Sequence, residues 1–215
     1  MTTGKSDTAV SLDAKYRPST ETAKATFNAI LKVTGELLSD TGFERLSTNM
    51  VAARAGLSPP ALYRYFPNKY ALLAELGRSL MAAQDVEVIA WHRDMPQARP
   101  RLDERVASQV RIMKRNVEIT REMPGGAWIM RALRAVPILQ EVRIESRDMV
   151  ADSLYSSTRR WYPDTPEADF RLSTRMSIEL CYSAIEMVVE EPDLDADAVL
   201  TKAATMVELY FETLV

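Results

Sequence analysis

The 215-residue chain is poor in the residues that most often carry chemistry: it has one cysteine, one histidine and seven glycines. A single cysteine, Cys181, cannot close a disulfide within the chain and suits a reducing cytoplasm, where it reads as a small core residue. His92 has no second histidine and no cysteine near it in sequence, so no clustered metal site and no cofactor is expected; it reads as a surface or interface residue. A Ser-His-Asp or Cys-His arrangement would have to join His92 to the distant Cys181, and no glycine-rich phosphate loop is present. Nothing therefore points to an enzyme. No apolar run is long enough to cross a bilayer, and the N-terminus lacks the apolar core of a signal peptide, so no membrane partner is expected. Few glycines and few β-branched runs, with much Ala, Leu, Met, Arg and Glu, predict an all-α protein with ample material for a core.

What is present concentrates between Ser47 and Lys69, in STNMVAARAGLSPPALYRYFPNK. Ser47 is a good N-cap, and Val51, Ala52 and Ala55 fall on one helical face. Gly56 can take the left-handed conformation that ends a helix. Ser58 opens the next helix, with Pro59 and Pro60 at positions whose N–H groups have no helical partner anyway. Leu62 and Phe66, four apart, share a buried face and leave Ala61, Tyr63, Arg64 and Tyr65 on the other sides. Two short helices joined by such a turn describe a helix-turn-helix, whose second helix enters the DNA major groove. Lys69 follows Asn68, the expected N-cap of the next helix. A cation there opposes the helix macrodipole by about 0.3–1 kcal/mol, which an external anion such as a DNA phosphate would offset.

The segment AARAGLSPPALYRYFPNKYALL also resembles the DNA-binding segment of the TetR family of bacterial transcriptional repressors. The likeness lies in the A-x-x-A-G turn, the L-Y-x-Y-F run and the N-K-x-x-L-L opening of the following helix. It covers about a tenth of the chain, and the helical pattern around it extends the match to residues 22–80. The resemblance implies that Ser47, Thr48, Tyr63, Tyr65 and Lys69 contact phosphates, and that Asn49, Pro60, Ala61 and Arg64 face base edges. It also implies a repressor of double-stranded operator DNA whose body senses a small-molecule effector. Departures at Pro60, Ala61 and Tyr70 leave the operator sequence open.

The rest of the chain reads as a frame for that segment. Residues 1–20 are polar and aperiodic and read as a flexible arm; Lys15 and Arg17 could reach a minor groove, but a solvated tail is the plainer reading. A helix over 22–40 carries the stripe Ala23, Phe27, Ile30, Leu31, Thr34, Leu37 and Leu38 and stops at Thr41-Gly42. With residues up to 67 it makes the DNA-binding head. No linker separates the head from a body spanning 68–215, so the helix over 68–91 belongs to both and acts as a lever. Further helices are expected over 102–121, up to 135, over 137–161, 167–189 and 195–214, with loops at Met95-Pro96, Pro124-Gly125-Gly126 and Pro163 to Pro166. The last two are apolar over more than one face, which calls for burial on two sides, one of them a second copy of the chain. Leu180, Ala184, Met187, Val188, Val199, Ala203, Met206 and Tyr210 are the expected seam of that homodimer. Met113, Trp128, Met130, Met149, Trp161, Met176 and Tyr182 are dispersed over the body and are expected to line an apolar ligand cavity. Charge is divided accordingly: residues 1–80 carry ten Lys/Arg against seven Asp/Glu, and residues 81–215 seventeen against twenty-three. A mildly basic head on an acidic body fits local DNA contact without general nucleic-acid binding. An enzyme or a helical protein-binding scaffold is the alternative, but it leaves Lys69 and the Tyr63-Arg64-Tyr65 surface without a role.

Overall fold

A computed structural model describes residues 10–214, and among these residues there are nine α-helices and no strand. In chain order they are α1 Glu21–Arg45, α2 Thr48–Arg54, α3 Pro59–Tyr65, α4 Lys69–Arg93, α5 Leu102–Glu122, α6 Gly126–Ala135, α7 Gln140–Thr158, α8 Glu167–Glu190 and α9 Ala196–Glu212. Single 3-10 turns, Pro137–Leu139 and Arg159–Trp161, flank α7 where the sequence suggested one unbroken helix.

Helix starts follow the capping rules. Ser47 Oγ accepts from Met50 N–H at 3.3 Å, Ser58 Oγ from Ala61 N–H at 3.4 Å and Asn68 Oδ1 from Ala71 N–H at 2.9 Å. Pro59 and Pro60 occupy the first two positions of α3, so the helix begins at Pro59 itself. The expected stop at Gly42 is a kink, with φ 72°, beyond which a last turn runs to Arg45. Gly56, at φ 67°, makes the α2–α3 turn.

The first three helices and the start of α4 close around Phe27, Ile30, Val51, Ala52, Leu62, Phe66 and Leu72, all buried. Phe27 and Phe66 rings pack with centroids 4.9 Å apart. The same apolar cluster continues without a break into the body, where α4 packs against α5, α6 and α7, and α8 and α9 close the far side. At the join, a methyl on Gly35 of α1 would stand 2.1 Å from the Pro124 carbonyl oxygen, so the corner before α6 sits directly on α1.

The arm needs correction. Residues 1–9 lie outside the described residues, but residues 11–17 lie along the head and are not a solvated tail. Lys15 N–H donates to Tyr65 O at 2.8 Å, Asn68 Nδ2 to Ser11 O at 3.0 Å and Arg78 Nη1 to Leu12 O at 3.2 Å. Arg17 grips Glu75 through two bonds of 2.6 and 3.0 Å, and Leu12 and Ala14 pack on the core. The segment is held because the end of α3 and the polar side chains of α4 satisfy its backbone groups.

Among the described residues, no helix is long and apolar enough to cross a membrane.

Candidate DNA-reading surface and body cavity

The exposed tip of α3 presents Pro60, Ala61, Tyr63 and Arg64, with Asn49, Thr48 and Ser47 beside it at the start of α2. Tyr63 and Thr48 hydroxyls are 2.9 Å apart, tying the start of α2 to the outer side of α3. Tyr65 departs from expectation. It is 2% exposed, with its ring packed edge-on against Phe27 and Tyr16. Residues 62, 65 and 66 form one i, i+3, i+4 inner face, so Tyr65 is a core residue and not a free phosphate contact. Its hydroxyl instead receives Arg64 Nη2 at 3.2 Å, while the guanidinium stands 5.2 Å from the ring centroid. Lys69 is half-buried: Nζ donates to Phe43 O at 3.4 Å and lies 4.4 Å from the centre of the Phe43 ring. The carbonyl and ring at the end of α1 thus offset part of the unfavourable helix-dipole placement, and no external anion is needed to explain it.

In the body, a cavity of about 690 Å³ opens between α4, α5, α7, α8 and α9. Of the seven expected lining residues, Met113, Trp161 and Tyr182 are on its wall. Trp128 instead lies under the Arg131 guanidinium beside Gly42, Met130 is buried in the core elsewhere, and Met149 and Met176 point to solvent. Size and softness alone do not specify which way a side chain faces.

The cavity's polar groups escaped the sequence reading. His92, expected at the surface or an interface, is 1% exposed and on the wall; Nδ1 lies 3.2 Å from Ser153 Oγ, and Nε2 has no partner among the described residues. α4 extends two residues further than expected and carries His92 on the face that holds Gln84, Asp85 and Val88. Burial pushes its pKa down to about 4, so the ring is neutral. Asn116 also lines the cavity with its Oδ1 unpartnered, and Gln109 Nε2 donates to Cys181 Sγ at 2.9 Å. Burial raises the Cys181 thiol to about 12, so the His92 and Cys181 side chains form no thiolate–imidazolium pair. A signal was available: Arg105, Gln109, Asn116 and Thr120 interleave with Met113 at helical spacing, a polar stripe on the buried face of α5.

Behind the wall, Ser146 Oγ donates to Asp85 at 2.8 Å and lies 3.3 Å from the Tyr182 hydroxyl. Burial raises the Asp85 pKa to about 6 and the Tyr182 pKa further above its ordinary value. At the mouth, Arg105 is held by Glu208 at 2.6 Å, by Glu212 and by Pro100 O at 2.6 Å. Among the described residues, no group of three or more His, Cys, Asp or Glu could hold a metal.

The outer face of α8 and α9 is apolar and exposed at Leu172, Met176, Leu180, Met187, Met206, Leu209 and Tyr210. Leu180, Met187, Met206 and Tyr210 were expected there. Ala184, Val188 and Ala203 were too, but they are buried inside the chain, and Val199 is half-buried against the same core. Both faces of α8 are apolar, and the short Ala184 and the next-turn Val188 belong to the inner one.

These features define the class: an all-α protein with an N-terminal helix-turn-helix, carrying a cavity-bearing helical body. The comparisons with known proteins agree. The profile for bacterial regulatory proteins of the tetR family matches residues 30–76. Over 53 residues the chain is 43% identical to tetracycline repressor protein class C of Escherichia coli, covering 25% of this chain and 24% of that protein. Over 91 residues it is 30% identical to nucleoid occlusion factor SlmA of Haemophilus influenzae, 42% of each. The chain thus matches between a quarter and two-fifths of the length of these curated relatives. A tetR-family transcriptional regulator from Streptomyces coelicolor superposes with TM-score 0.65 at 20% identity, over 89% of this chain and 85% of that one. SmeT in complex with triclosan superposes with TM-score 0.66 at 21% identity, over 86% and 91%. At these identities the structures establish the fold. Over residues 30–76 the chain thus carries a segment similar to bacterial regulatory proteins of the tetR family, and its overall fold is shared with solved structures of that kind.

Proposed function

We propose that the protein is a transcriptional repressor that binds a palindromic operator as a homodimer and is released by a small, mostly apolar effector. The observation that carries this reading is the exposed tip of α3, presented by a rigid core on the same helix, α4, that walls the body cavity at its other end. On this reading residues 21–67 read DNA, while residues 68–215 hold the effector and pair the subunits. Ser47, Thr48, Tyr63 and Lys69 contact phosphates, and Asn49, Pro60, Ala61 and Arg64 face base edges. The apolar outer face of α8 and α9 supports the dimer, since monomers rarely leave so much contiguous apolar surface to water. Two heads related by two-fold symmetry require half-sites with the same symmetry and a set spacing. An effector in the cavity shifts α4 and so the separation of the heads; release requires it to bind the DNA-incompetent state more tightly, with coupling typically about 1–3 kcal/mol. SmeT, of the same fold, forms a complex with triclosan, which supports a small-molecule effector for this chain.

The test is footprinting and gel shift with DNA from upstream of the protein's own gene. A protected two-fold-symmetric site bound by one dimer is expected. Full-affinity binding of one monomer to a non-repeated site overturns the reading.

A further inference from the structure

We propose that the body cavity takes an elongated, uncharged molecule with an apolar middle and a hydrogen-bonding group at each end, the end at Asn116 being a donor. This deepens the effector reading above and rests on it only for the consequence of binding.

The argument begins with two atoms. His92 Nε2 and Asn116 Oδ1 are on buried side chains, 1% and 5% exposed, and neither has a partner among the described residues. Both residues line the cavity, with the two atoms just under its surface, so that an occupant reaches each by a small turn of the side chain. A buried polar atom without a partner is costly, so each calls for a polar group from the cavity's occupant or for water. Asn116 Oδ1 can only accept, which requires a donor. His92 Nε2 donates or accepts according to the role of Nδ1 toward Ser153, and a hydroxyl on the ligand serves either tautomer.

The two atoms mark opposite ends. Trp91 Nε1 donates to Ser108 Oγ at 2.9 Å, which sets the His92 end of α4 beside Ser108 on α5. Gln84 Nε2 donates to Thr120 Oγ1 at 2.8 Å and reaches Asn116 O at 3.5 Å, which sets Gln84 beside Asn116. Eight residues separate Gln84 from His92, and eight separate Ser108 from Asn116. At the helical rise both intervals come to about 12 Å. Between them the wall is Val88, Ile112, Met113, Ile178 and Ile185, with no titratable carboxylate or amine.

Between the two ends the wall offers no free charge; the exposed Asp94, Glu104 and Arg111 stand at the rim, and Glu208 is paired with Arg105. His92 stays neutral, and Arg105, the buried cation of the wall, is already saturated by Glu208, Glu212 and Pro100 O. A charged ligand would leave water without an opposite partner inside.

The probes are 1,8-octanediol, whose extended oxygens span roughly this interval, with 1-octanol, octanoate and octylamine. Binding to the full-length protein without DNA is read from the fluorescence of Trp91 and Trp161, both on the wall. The diol is expected to bind about three- to tenfold more tightly than 1-octanol, one neutral hydrogen bond's worth, and both charged probes more weakly. His92→Phe and Asn116→Leu should each bring the diol down to the affinity of 1-octanol. Asn116→Leu removes an unpartnered polar oxygen with little change of volume and should not lower the Tm of the probe-free protein, whereas His92→Phe also gives up the Nδ1 contact with Ser153 and is checked for folding by circular dichroism. A diol that binds no more tightly than 1-octanol, or a charged probe that binds best, overturns the proposal. So does a diol preference that survives both variants; if a variant does not fold, the wild-type series decides alone. Operator release is scored separately by gel shift. Diol-selective binding that leaves operator affinity unchanged keeps this inference and removes the effector role, whereas release by a charged probe does the reverse.

Discussion

Arg64 shows how a buried residue prepares an exposed one. Its guanidinium lies over the Tyr65 ring and bonds the Tyr65 hydroxyl, and that ring is fixed by Phe27 and Tyr16. The side chain is therefore partly ordered in the free protein, which on the proposed DNA-reading role reduces the entropy lost on binding. Arg64→Ala is expected to weaken operator binding by about 1–3 kcal/mol and to relax sequence preference at one position. Lys69→Ala should instead weaken all sequences alike and flatten the salt dependence by about one phosphate. Gel shifts on specific and scrambled duplexes over a salt series separate the two. If both variants keep the wild-type preference and salt slope, α3 is not the reading helix.

Two titratable residues on α4 act in opposite directions. The Asp85 pKa is raised from 3.8 to about 6, so between these values the folded state holds more protons and stability falls as pH rises. The His92 pKa is lowered from 6.5 to about 4, so in nearly the same window the unfolded state holds more protons and stability falls as pH drops. In the wild type the two slopes largely cancel. Asp85→Asn should therefore lose stability on acidification from pH 6.5 to 4, and His92→Phe should gain it from pH 6 to 4. Tm measured across that range checks this, and parallel profiles for the two variants contradict it.

At the scale of elements, α4 has two jobs, and the corner at Pro124 has a part in both. Its first turns are in the head core, while its second half walls the cavity. The Gly35–Pro124 contact fixes α1 to the body beside it, through a backbone approach that leaves no room for a methyl. Gly35→Ala must separate the two and is expected to destabilise the protein by about 1–3 kcal/mol, read by urea denaturation. A neutral result would mean that the head is not held there. Most element boundaries were legible because caps, glycines and prolines act locally: Ser47, Ser58 and Asn68 cap through their side chains, and Gly56 turns the chain because it has none. The N-terminal segment was not legible, because Lys15, Arg17 and Asn68 meet their partners only when α3 and α4 stand side by side.

For the whole molecule, the exposed apolar surface of α8 and α9 is the proposed dimer seam. Met206 is 61% exposed and Ala184 5%. Met206→Glu should leave the monomer folded by circular dichroism but prevent dimerisation in sedimentation, since pairing would bury an unpaired charge. Ala184→Glu should unfold the chain itself. A folded Met206→Glu variant that still sediments as a dimer removes this face from the seam.

By itself, the sequence determined the all-α class, the helix-turn-helix and the inner stripe of α1, since all three rest on spacings and caps within one or two turns. Only the tertiary structure decided that Tyr65 is core, that His92 and Asn116 face a cavity, and that Ala184, Val188 and Ala203 lie within the chain. Those assignments depend on which of two apolar faces meets which neighbour. Periodicity specifies that a face is apolar; it holds no record of what the face will be packed against.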